Sequence, residues 1–327
     1  MMNVILTIAV AFVLTLILGR FLIPALRALK AGQAIREDGP TWHNSKAGTP
    51  TMGGLMFMAA AAVCVVVFGF AGMRSGDFSA LYVLLLALCF GLVGFLDDFF
   101  KVKYKRNLGL TSIQKACLQM AVSAIFLYIL YKEGIMSASL YIPFFDVSWE
   151  LHPILYIFFA MFVFVGCVNA VNLTDGLDGL SSSVTVIVMV FFTAVAVAME
   201  RFTLAVLPAS LVGGLAACLC SNWKPAKVYM GDTGSLFLGG AVCGTAFALD
   251  MPLVLIMVGI IYIIETLSVI IQVGYFKLTH GKRFFKMAPI HHHFEKCGWA
   301  EERIDLTFAA ITAVMCILAW FGVSGRF

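Results

Sequence analysis

Charged residues are scarce in this sequence. Aspartate, glutamate, lysine and arginine together make up 12% of the 327 residues, whereas a typical soluble domain contains about 25%. Hydrophobic residues reach 61%, and the mean hydropathy is +0.98. This composition excludes an ordinary soluble protein and predicts a polytopic membrane protein.

Two further features are missing. No C-x-x-C pair occurs among the nine cysteines, and eight of them lie within apolar runs, so neither a disulfide framework nor a thiolate zinc site is indicated. Only Cys297 lies in a polar stretch, and we interpret it as a free thiol. The first apolar run, residues 4–23, lacks a charged segment before it and a small-residue cleavage signal after it. We therefore expect this run to be a retained span rather than a signal peptide.

The apolar runs are close to twenty residues long, which is the length of a helix that crosses a bilayer. Only helices and closed barrels satisfy their backbone in lipid, and barrel strands would show alternating runs of about ten residues. We predict an all-α polytopic membrane protein forming a single transmembrane domain, residues 1–327. The ten predicted spans are residues 2–23, 51–70, 80–96, 112–131, 153–171, 180–199, 202–221, 233–249, 252–275 and 304–323.

The basic residues are distributed unevenly among the loops. Loops that follow odd-numbered spans hold 18 of the 22 lysines and arginines, and the others hold only Arg74, Lys132, Arg201 and Arg326. Because positively charged loops stay in the cytoplasm, we predict that both termini lie outside it. The longest outer loop, residues 132–152, could form a short hairpin or an interfacial aromatic anchor.

The segment 169–180 is the main polar interruption between two apolar runs. If it stays helical, Asn169, Asn172, Asp175 and Asp178 are each three residues apart, and neighbouring members share a face that could converge on one ligand. Carboxylates at a helix C-terminus are unfavourable unless a cation or a hydrogen-bond donor is present. A polar turn between two spans is the alternative.

Two adjacent acids, Asp97 and Asp98, end the third predicted span, with Lys101 just beyond them. Successive helical residues point about 100° apart, so one acid could face a reacting group while the other faces a metal or a lysine. A snorkelling ion pair at the membrane surface is the alternative, although acids next to lipid are usually functional.

The loop before the eighth predicted span contains Asn222, Tyr229 and Asp232. Asp232 could cap the helix that follows, because an aspartate at that position accepts a hydrogen bond from the free backbone N–H groups. An aromatic face and an amide, Tyr229 and Asn222, are the parts of a nucleobase pocket.

Polar residues continue in and after the ninth predicted span. Glu265, Ser268 and Gln272 lie on one helical face, where Glu265 could look into a polar groove or pack against polar atoms of another helix. Three consecutive histidines follow at His291–His293. They point in three directions from a helix, so contacts to phosphates are a more natural use than one shared metal, and a structural role is the alternative.

Acids, lysines and histidines in the same set of loops predict a site for an anionic substrate and a divalent cation. Mg²⁺ is the expected ion, because it takes oxygen ligands and bridges phosphates. The first such loop adds a glycine-rich, lysine-bearing segment, residues 42–54, although it contains no Walker sequence. A site at the membrane surface suits phosphoryl transfer from a nucleotide diphosphate to a lipid phosphate.

The motifs around these residues resemble a known family. Residues 96–98, 172–180, 231–235 and 289–295 together are similar to the polyprenyl-phosphate N-acetylhexosamine-1-phosphate transferases. The Pro289-Ile-His-His-His-Phe-Glu295 segment favours the branch of bacterial phospho-N-acetylmuramoyl-pentapeptide transferases. The resemblance runs from Ser45 to the last span.

The resemblance implies an enzyme of the cytoplasmic (inner) membrane of bacteria, with its active site on the cytoplasmic side. Its substrates would be UDP-MurNAc-pentapeptide and undecaprenyl phosphate, its products lipid I and UMP, and its cofactor Mg²⁺. It also implies a homodimer in the lipid bilayer and no nucleic-acid partner.

The resemblance assigns roles to individual residues. Asp232 would bind Mg²⁺, while Asp97 and Asp98 would handle the lipid phosphate, with Asp97 the better candidate for its deprotonation. His291 completes the expected catalytic set. The residues expected to bind substrate are Lys46, Thr51, Lys101, Lys115, Asn172, Asp175, Asp178, Asn222, Tyr229, Gln272, His292 and His293.

Two other functions are considered. A secondary transporter would also contain intramembrane acids, but its site would lie near the midplane within repeated halves, and no internal repeat is present here. A transferase that uses UDP-N-acetylglucosamine differs only in the histidine segment and in whatever recognises the peptide.

Overall fold

The computed structural model describes residues 2–29, 48–104 and 109–327. Within these ranges the chain is helical apart from one two-stranded hairpin and connecting loops. The helices are α1 (Met2–Ala28), α2 (Gly54–Phe68), α3 (Phe70–Arg74), α4 (Ser79–Tyr104), α5 (Ser112–Lys132), α6 (Pro153–Thr174), α7 (Leu180–Ala198), α8 (Phe202–Asn222), α9 (Gly231–Ala248), α10 (Leu255–Val258), α11 (Ile260–Leu278), α12 (Ile290–Glu295) and α13 (Glu301–Val323). The strands are β1 (Ser139–Ile142) and β2 (Val147–Glu150).

Nine of the ten predicted spans correspond to one helix each, whereas the ninth, residues 252–275, is divided at Gly259 into the short α10 and the longer α11. Among the described residues, eight helices are long and apolar enough to cross a bilayer. The other two predicted spans correspond to α2, which has 15 residues, and α9, which begins with polar residues and is rich in glycine. The all-helical, polytopic architecture is confirmed, while the number of crossings and the side of the termini stay predictions.

Helix α9 lies at the centre of the bundle. All of its residues from Thr233 to Ala248 are buried, and its most extensive packing is against α4 and α6. Glycine makes the close approach to α4 possible: a Cβ atom on Gly94 would lie 2.1 Å from the backbone oxygen of Asp232. The end of α4 that bears Asp97 and Asp98 is therefore in direct contact with the first turn of α9.

The opposite end of α9 is closed by the hairpin. Strands β1 and β2 pair antiparallel from Ser139–Glu150 to Ile142–Val147, which confirms the hairpin alternative for the outer loop. The backbone N–H of Phe144, in its turn, donates to the carbonyl of Gly322 at the end of α13. Side chains also hold this end, since Ser137 donates to Asp250 and the Arg326 guanidinium lies over the Tyr141 ring.

We use "site end" for the end of the bundle where α4 and α6 finish and α5 and α9 begin. Helix α5 starts there with a capping box: the Thr111 hydroxyl accepts from the Gln114 N–H, and the Gln114 side chain accepts from the Thr111 N–H. Reciprocal caps of this kind fix where a helix begins. The cap places Lys115 in the first turn of α5, facing α9.

Candidate active site

The Asp232 carboxylate is the meeting point of three other helices at the site end. Its Oδ2 atom lies 2.7 Å from Nζ of Lys115 on α5 and 3.2 Å from Nζ of Lys101 on α4. Its Oδ1 atom accepts from the Asn172 amide on α6 at 2.9 Å. Each of these contacts joins residues that are far apart in the sequence. The donors are two lysine ammonium groups and one side-chain amide.

The hypothesis that Asp232 caps its own helix is wrong. Met230 occupies the N-cap position of α9, and Asp232, in the first turn, makes no capping bond. The cap comes from a different helix, because Asp98 on α4 accepts from the backbone N–H of Thr233 at 2.9 Å and from its hydroxyl at 2.7 Å. The Asp232 carboxylate is thereby free of this structural task.

Asp97 and Asp98 face different partners, as their adjacent positions on a helix require. Asp97 pairs with Lys101 at 2.6 Å and accepts from the backbone N–H of Leu110 at 2.8 Å. One oxygen from each of Asp97, Asp98 and Asp232 nevertheless lies within 4.8 Å of the others. Three carboxylates at this spacing are the oxygen donors that Mg²⁺ prefers, so the donor set fits this ion.

The electrostatics of the site end differ from one acid to the next. Burial opposes ionisation of Asp232, but the ammonium groups of Lys115 and Lys101 outweigh it and hold the pKa of that carboxyl well below its usual range. Burial, followed by the charge of Asp232, raises the pKa of Asp175 well above its usual range. No hydrogen bond to the Asp175 carboxylate is found among the described residues. The region therefore contains one firmly ionised acid and one that resists ionisation.

Residues 169–178 do not stay helical, so the shared helical face does not form and the alternative of a polar turn is correct from Asp175 onward. Helix α6 ends at Thr174, and Asp175 and Asp178 lie in the turn before α7. Three of the four polar residues have separate partners: Asn169 pairs with Gln119, Asn172 contacts Asp232 and Ser235, and Asp178 accepts from the N–H of Ala226 and the hydroxyl of Tyr229.

The predicted base pocket has its aromatic and amide members close to the Asp178 turn. Tyr229 donates its hydroxyl to Asp178 at 3.3 Å and is partly exposed. Asn222 is buried, and its amide accepts from Ser182 at 3.1 Å and donates to the Val228 carbonyl at 3.0 Å. In this structure Asn222 therefore supports the loop that presents Tyr229.

Thr51 lies beside the acidic residues. A Cβ atom on Gly231 would be 2.5 Å from both the Thr51 hydroxyl and Asp98, and Gly231 has a φ of +71° that favours glycine. The segment before α2 is thus packed against the start of α9. Lys46, which precedes it, lies outside the described residues.

The three histidines have three different partners, as predicted from their spacing. His291 is buried and bonds Glu265 on α11, His292 bonds Glu295, and His293 accepts from the backbone N–H of Lys286. Gln272 accepts from the backbone N–H groups of Phe284 and Phe285. Glu265 and Gln272 together attach the histidine segment to α11. The polar partner expected for Glu265 is therefore His291.

Several residues of the site were not singled out from the sequence. Thr233 and Ser235 bond Asp98 and Asn172, although both belong to the quoted 231–235 motif. Gln119 is a buried amide within an apolar span, and that isolation is the signal that could have identified it. Gly94 gives no such signal, because its role depends on a contact with a helix more than a hundred residues away.

Comparison with known proteins adds a family to this geometry. The sequence model of glycosyl transferase family 4 matches residues 80–250. A second model, phospho-N-acetylmuramoyl-pentapeptide-transferase signature 1, matches residues 46–58.

Curated relatives match almost end to end. A phospho-N-acetylmuramoyl-pentapeptide-transferase of Clostridium acetobutylicum is 45% identical over 98% of this chain and 99% of its own. A protein of the same name from Clostridium perfringens is 48% identical, covering 97% and 98% of the two chains. Another from Listeria welshimeri is 46% identical, covering 96% of each.

Proposed function

This chain belongs to the phospho-N-acetylmuramoyl-pentapeptide transferases, and on that premise we propose its reaction. It transfers phospho-MurNAc-pentapeptide from UDP-MurNAc-pentapeptide to undecaprenyl phosphate. An oxygen of the lipid phosphate becomes bonded to the phosphorus that carries the sugar, and the bond from that phosphorus to UMP breaks. The products are lipid I and UMP, which places the reaction in peptidoglycan synthesis.

The observation that supports this reaction most strongly is the acidic centre at the start of α9. Three carboxylates within 4.8 Å face two lysines. Transfer of a phosphorylated sugar brings the negative charges of a diphosphate and a lipid phosphate together, so it requires positioning and charge neutralisation. Lys101 and Lys115 supply positive charge, and the carboxylates supply ligands for a divalent cation.

Asp232 is the proposed Mg²⁺ ligand, with Asp97 and Asp98 close enough to share the ion or its bound waters. When bound, Mg²⁺ would neutralise charge that develops on the phosphate oxygens. The low pKa of Asp232 keeps this carboxylate ionised and ready for a cation. Asn172 orients it by donating to Oδ1, because an amide held by Ser235 as well cannot rotate freely.

The two neighbouring acids have separate proposed tasks. Asp97 is the candidate base for the lipid phosphate; its carboxyl group contacts Lys101, the backbone N–H of Leu110 and the Asp232 carboxyl group. Asp98 also handles the lipid phosphate in this proposal, using the oxygen not engaged by Thr233. Its bonds to Thr233 fix the position of α4 against α9.

The remaining residues are proposed to bind the nucleotide sugar. Asn172, Asp175 and Asp178 would line the diphosphate region, with Tyr229 at the uracil and Asn222 supporting its loop. Other phosphate or sugar contacts are proposed for Lys46, Thr51, Lys101, Lys115, Gln272, His291, His292 and His293. The assignment of Lys46 rests on the sequence alone.

Location and assembly are also part of the proposal. We place the protein in the bacterial inner membrane as a homodimer, with the site end in the cytoplasm, where the nucleotide substrate is available. The distribution of 18 of 22 basic residues to the loops of one side supports this orientation.

Substrate choice is tested by UMP release from purified protein in Mg²⁺ with undecaprenyl phosphate and one UDP-sugar at a time. We expect turnover with UDP-MurNAc-pentapeptide and negligible release with UDP-N-acetylglucosamine. Comparable turnover with both sugars would move the chain to the other branch of the superfamily. No release with either would overturn the proposed reaction.

Orientation is tested at Cys297, which is exposed. In a variant that keeps Cys297 as its only cysteine, a membrane-impermeant thiol reagent should label inverted vesicles and not intact cells. Labelling of intact cells would reverse the proposed orientation.

A further inference from the structure

Glu265 and His291 form a buried pair beside the acidic centre. The Oε2 atom of Glu265 lies 3.0 Å from Nδ1 of His291, and the two residues are 0% and 1% exposed. The other atoms of the pair, Oε1 of Glu265 and Nε2 of His291, find no hydrogen-bond partner among the described residues. Buried polar atoms are rarely left without a partner, so the free Nε2 atom requires an explanation.

The free atom of His291 points at the turn between α6 and α7. A Cβ atom on Gly176 would lie 2.3 Å from Nε2 and 2.5 Å from Cε1, so the imidazole fills the space that any side chain at position 176 would need. Asp175 precedes this glycine, and Asp178 follows two residues later. The imidazole therefore contacts the turn that we propose binds the nucleotide diphosphate.

The histidine segment cannot hold this ring in place by itself. Helix α12 has only six residues and follows a stretch without regular secondary structure. Two side chains of α11 attach the segment: Gln272 accepts from the backbone of Phe284 and Phe285, and Glu265 bonds the ring itself. Of these two, only Glu265 acts directly on His291.

A carboxylate at Nδ1 has a defined effect on an imidazole. It accepts the proton carried by Nδ1, which fixes the tautomer and leaves Nε2 available to a ligand. Residues that orient a functional histidine in this way commonly change activity by 10- to 100-fold when they are replaced. A carboxylate deep in a membrane protein is costly, which favours a functional reason for Glu265.

We propose that Glu265 is a positioning residue that holds the His291 imidazole with Nε2 directed at the Gly176 turn, where it accepts a hydrogen bond from a hydroxyl or amide N–H group of the phosphorylated nucleotide sugar. The inference rests on the proposed function for the identity of that ligand. The bond between Glu265 and His291, and the direction of the ring, depend only on the structure.

The competing interpretation is that the pair only stabilises the fold. Replacing one member by leucine would then lower stability, and any loss of activity would follow the loss of folded protein. The positioning role predicts a different pattern. Turnover should fall while the melting temperature and the KM for the nucleotide sugar change little, because the substrate still meets its other contacts.

The kinetic test compares Glu265→Leu, Glu265→Gln and the control Ser268→Ala. Ser268 lies one turn further along the same face, and its hydroxyl donates to the backbone carbonyl of Glu265 rather than to the Glu265 carboxylate or the His291 ring. We expect kcat to fall about tenfold or more in Glu265→Leu, in line with other histidine-orienting residues. Glu265→Gln should recover most of it, because its amide oxygen can accept the same proton, and Ser268→Ala should match wild type.

A double-variant cycle separates positioning from an independent effect. In the His291→Ala background, Glu265→Leu should cost nothing further, because the ring that it positions is gone. Equal losses with and without His291, or a wild-type kcat in Glu265→Leu, would overturn the inference.

A readout without turnover keeps this inference distinct from the proposed function. In protein labelled with ¹⁵N-histidine, the His291 signal, identified by its loss in His291→Ala, should report a single tautomer with the proton on Nδ1. Glu265→Leu should give a mixture of tautomers. An unchanged signal in Glu265→Leu would overturn the positioning role even if wild type releases UMP, and a changed signal would support it even if wild type does not.

Discussion

Helix α9 has an aspartate at each end, and the two are treated differently by the fold. At the site end, Asp232 meets charged or amide side chains from α4, α5 and α6. Just beyond the other end, Asp250 accepts from the backbone N–H and the hydroxyl of Ser137 and from no other group in the described part of the chain. The Asp232 carboxylate therefore links α9 to three other helices, whereas the Asp250 carboxylate binds one residue of a loop.

The difference between the two ends of α9 shows that unfavourable repulsion between carboxylates is concentrated at the site end. Two hydrogen bonds from Ser137 satisfy Asp250, whereas the site end brings Asp97, Asp98 and Asp232 within 4.8 Å of one another. Like charges this close disfavour full ionisation, and such strain is retained mainly at functional sites. A purely structural design would need only the Asp98 cap on α9. This excess of acids is the reason that we propose a ligand-binding role for them.

The largest expected effect comes from Asp232→Asn, with Asp250→Asn, just beyond the opposite end of α9, as its matched control. Loss of the charged metal ligand should lower UMP release on the order of a hundredfold or more. The fold should survive, because an asparagine oxygen can still accept from Asn172. Asp250→Asn should retain wild-type turnover, since asparagine tolerates the left-handed backbone at this position.

Melting temperature serves as the check on both variants. A stable Asp232→Asn protein with wild-type turnover would remove Asp232 from the metal site. Equal losses of UMP release in the two variants would contradict the proposed difference between the two ends of α9.

A smaller effect is expected when α4 is forced away from α9. In Gly94→Ala the added methyl group would lie 2.1 Å from the Asp232 carbonyl oxygen, whereas Gly166 on α6 has no atom within 4 Å of its Cβ position. Overpacking of this kind costs about 1–3 kcal/mol. We expect a lower melting temperature and lower turnover in Gly94→Ala, and wild-type values in Gly166→Ala. Equal melting temperatures and turnover in the two variants would show that the close contact between α4 and α9 does not matter for the site.

Asp175→Asn should have the opposite effect on stability. Burial and the charge of Asp232 raise the pKa of Asp175 in the folded protein. Above the pKa that Asp175 has in the unfolded chain, its ionisation favours the unfolded state and lowers the free energy of unfolding. Removing the carboxyl should raise the melting temperature at neutral pH in Mg²⁺-free buffer while lowering UMP release. The gain should vanish as the pH falls and wild-type Asp175 takes up its proton. A lower melting temperature at neutral pH would contradict this reading.

The smallest effect is expected one turn deeper in the bundle. Gln119 and Asn169 exchange two hydrogen bonds, of 2.7 Å and 3.3 Å, between α5 and α6. Such bonds within membrane proteins average about 0.6 kcal/mol. Gln119→Leu should lower the melting temperature slightly and reduce turnover by no more than a few-fold. Both quantities are measured on the same purified protein. A hundredfold loss of turnover would make the pair part of the catalytic machinery.

Residue types and short spacings predicted the helices and most candidate site residues. Membrane helices follow from the length of apolar runs, which is a local property of the chain. The adjacent acids Asp97 and Asp98 and the three histidines were expected to face different partners, and they do. These predictions depend on helix geometry alone.

The partners themselves could not be predicted from spacing. Asp98 caps α9 across 135 residues of sequence, so spacing offered Asp232, which lies in the first turn of that helix, as the alternative cap. The end of α6 at Thr174 lies three residues beyond the predicted end at 171, but the shared face considered for residues 169–178 does not form, because Asp175 and Asp178 lie in the turn that follows. The first of these differences arises from a contact between distant parts of the chain, which residue spacing does not show.

The most direct test of the acidic centre is metal binding measured without catalysis. Mn²⁺, which accepts the same oxygen ligands as Mg²⁺, can be titrated into purified protein and followed by electron paramagnetic resonance. We predict that Mg²⁺ competes for the wild-type site, that Asp232→Asn weakens Mn²⁺ binding about tenfold or more, and that Asp250→Asn binds as wild type does. Mn²⁺ binding of wild-type strength in Asp232→Asn would contradict the account.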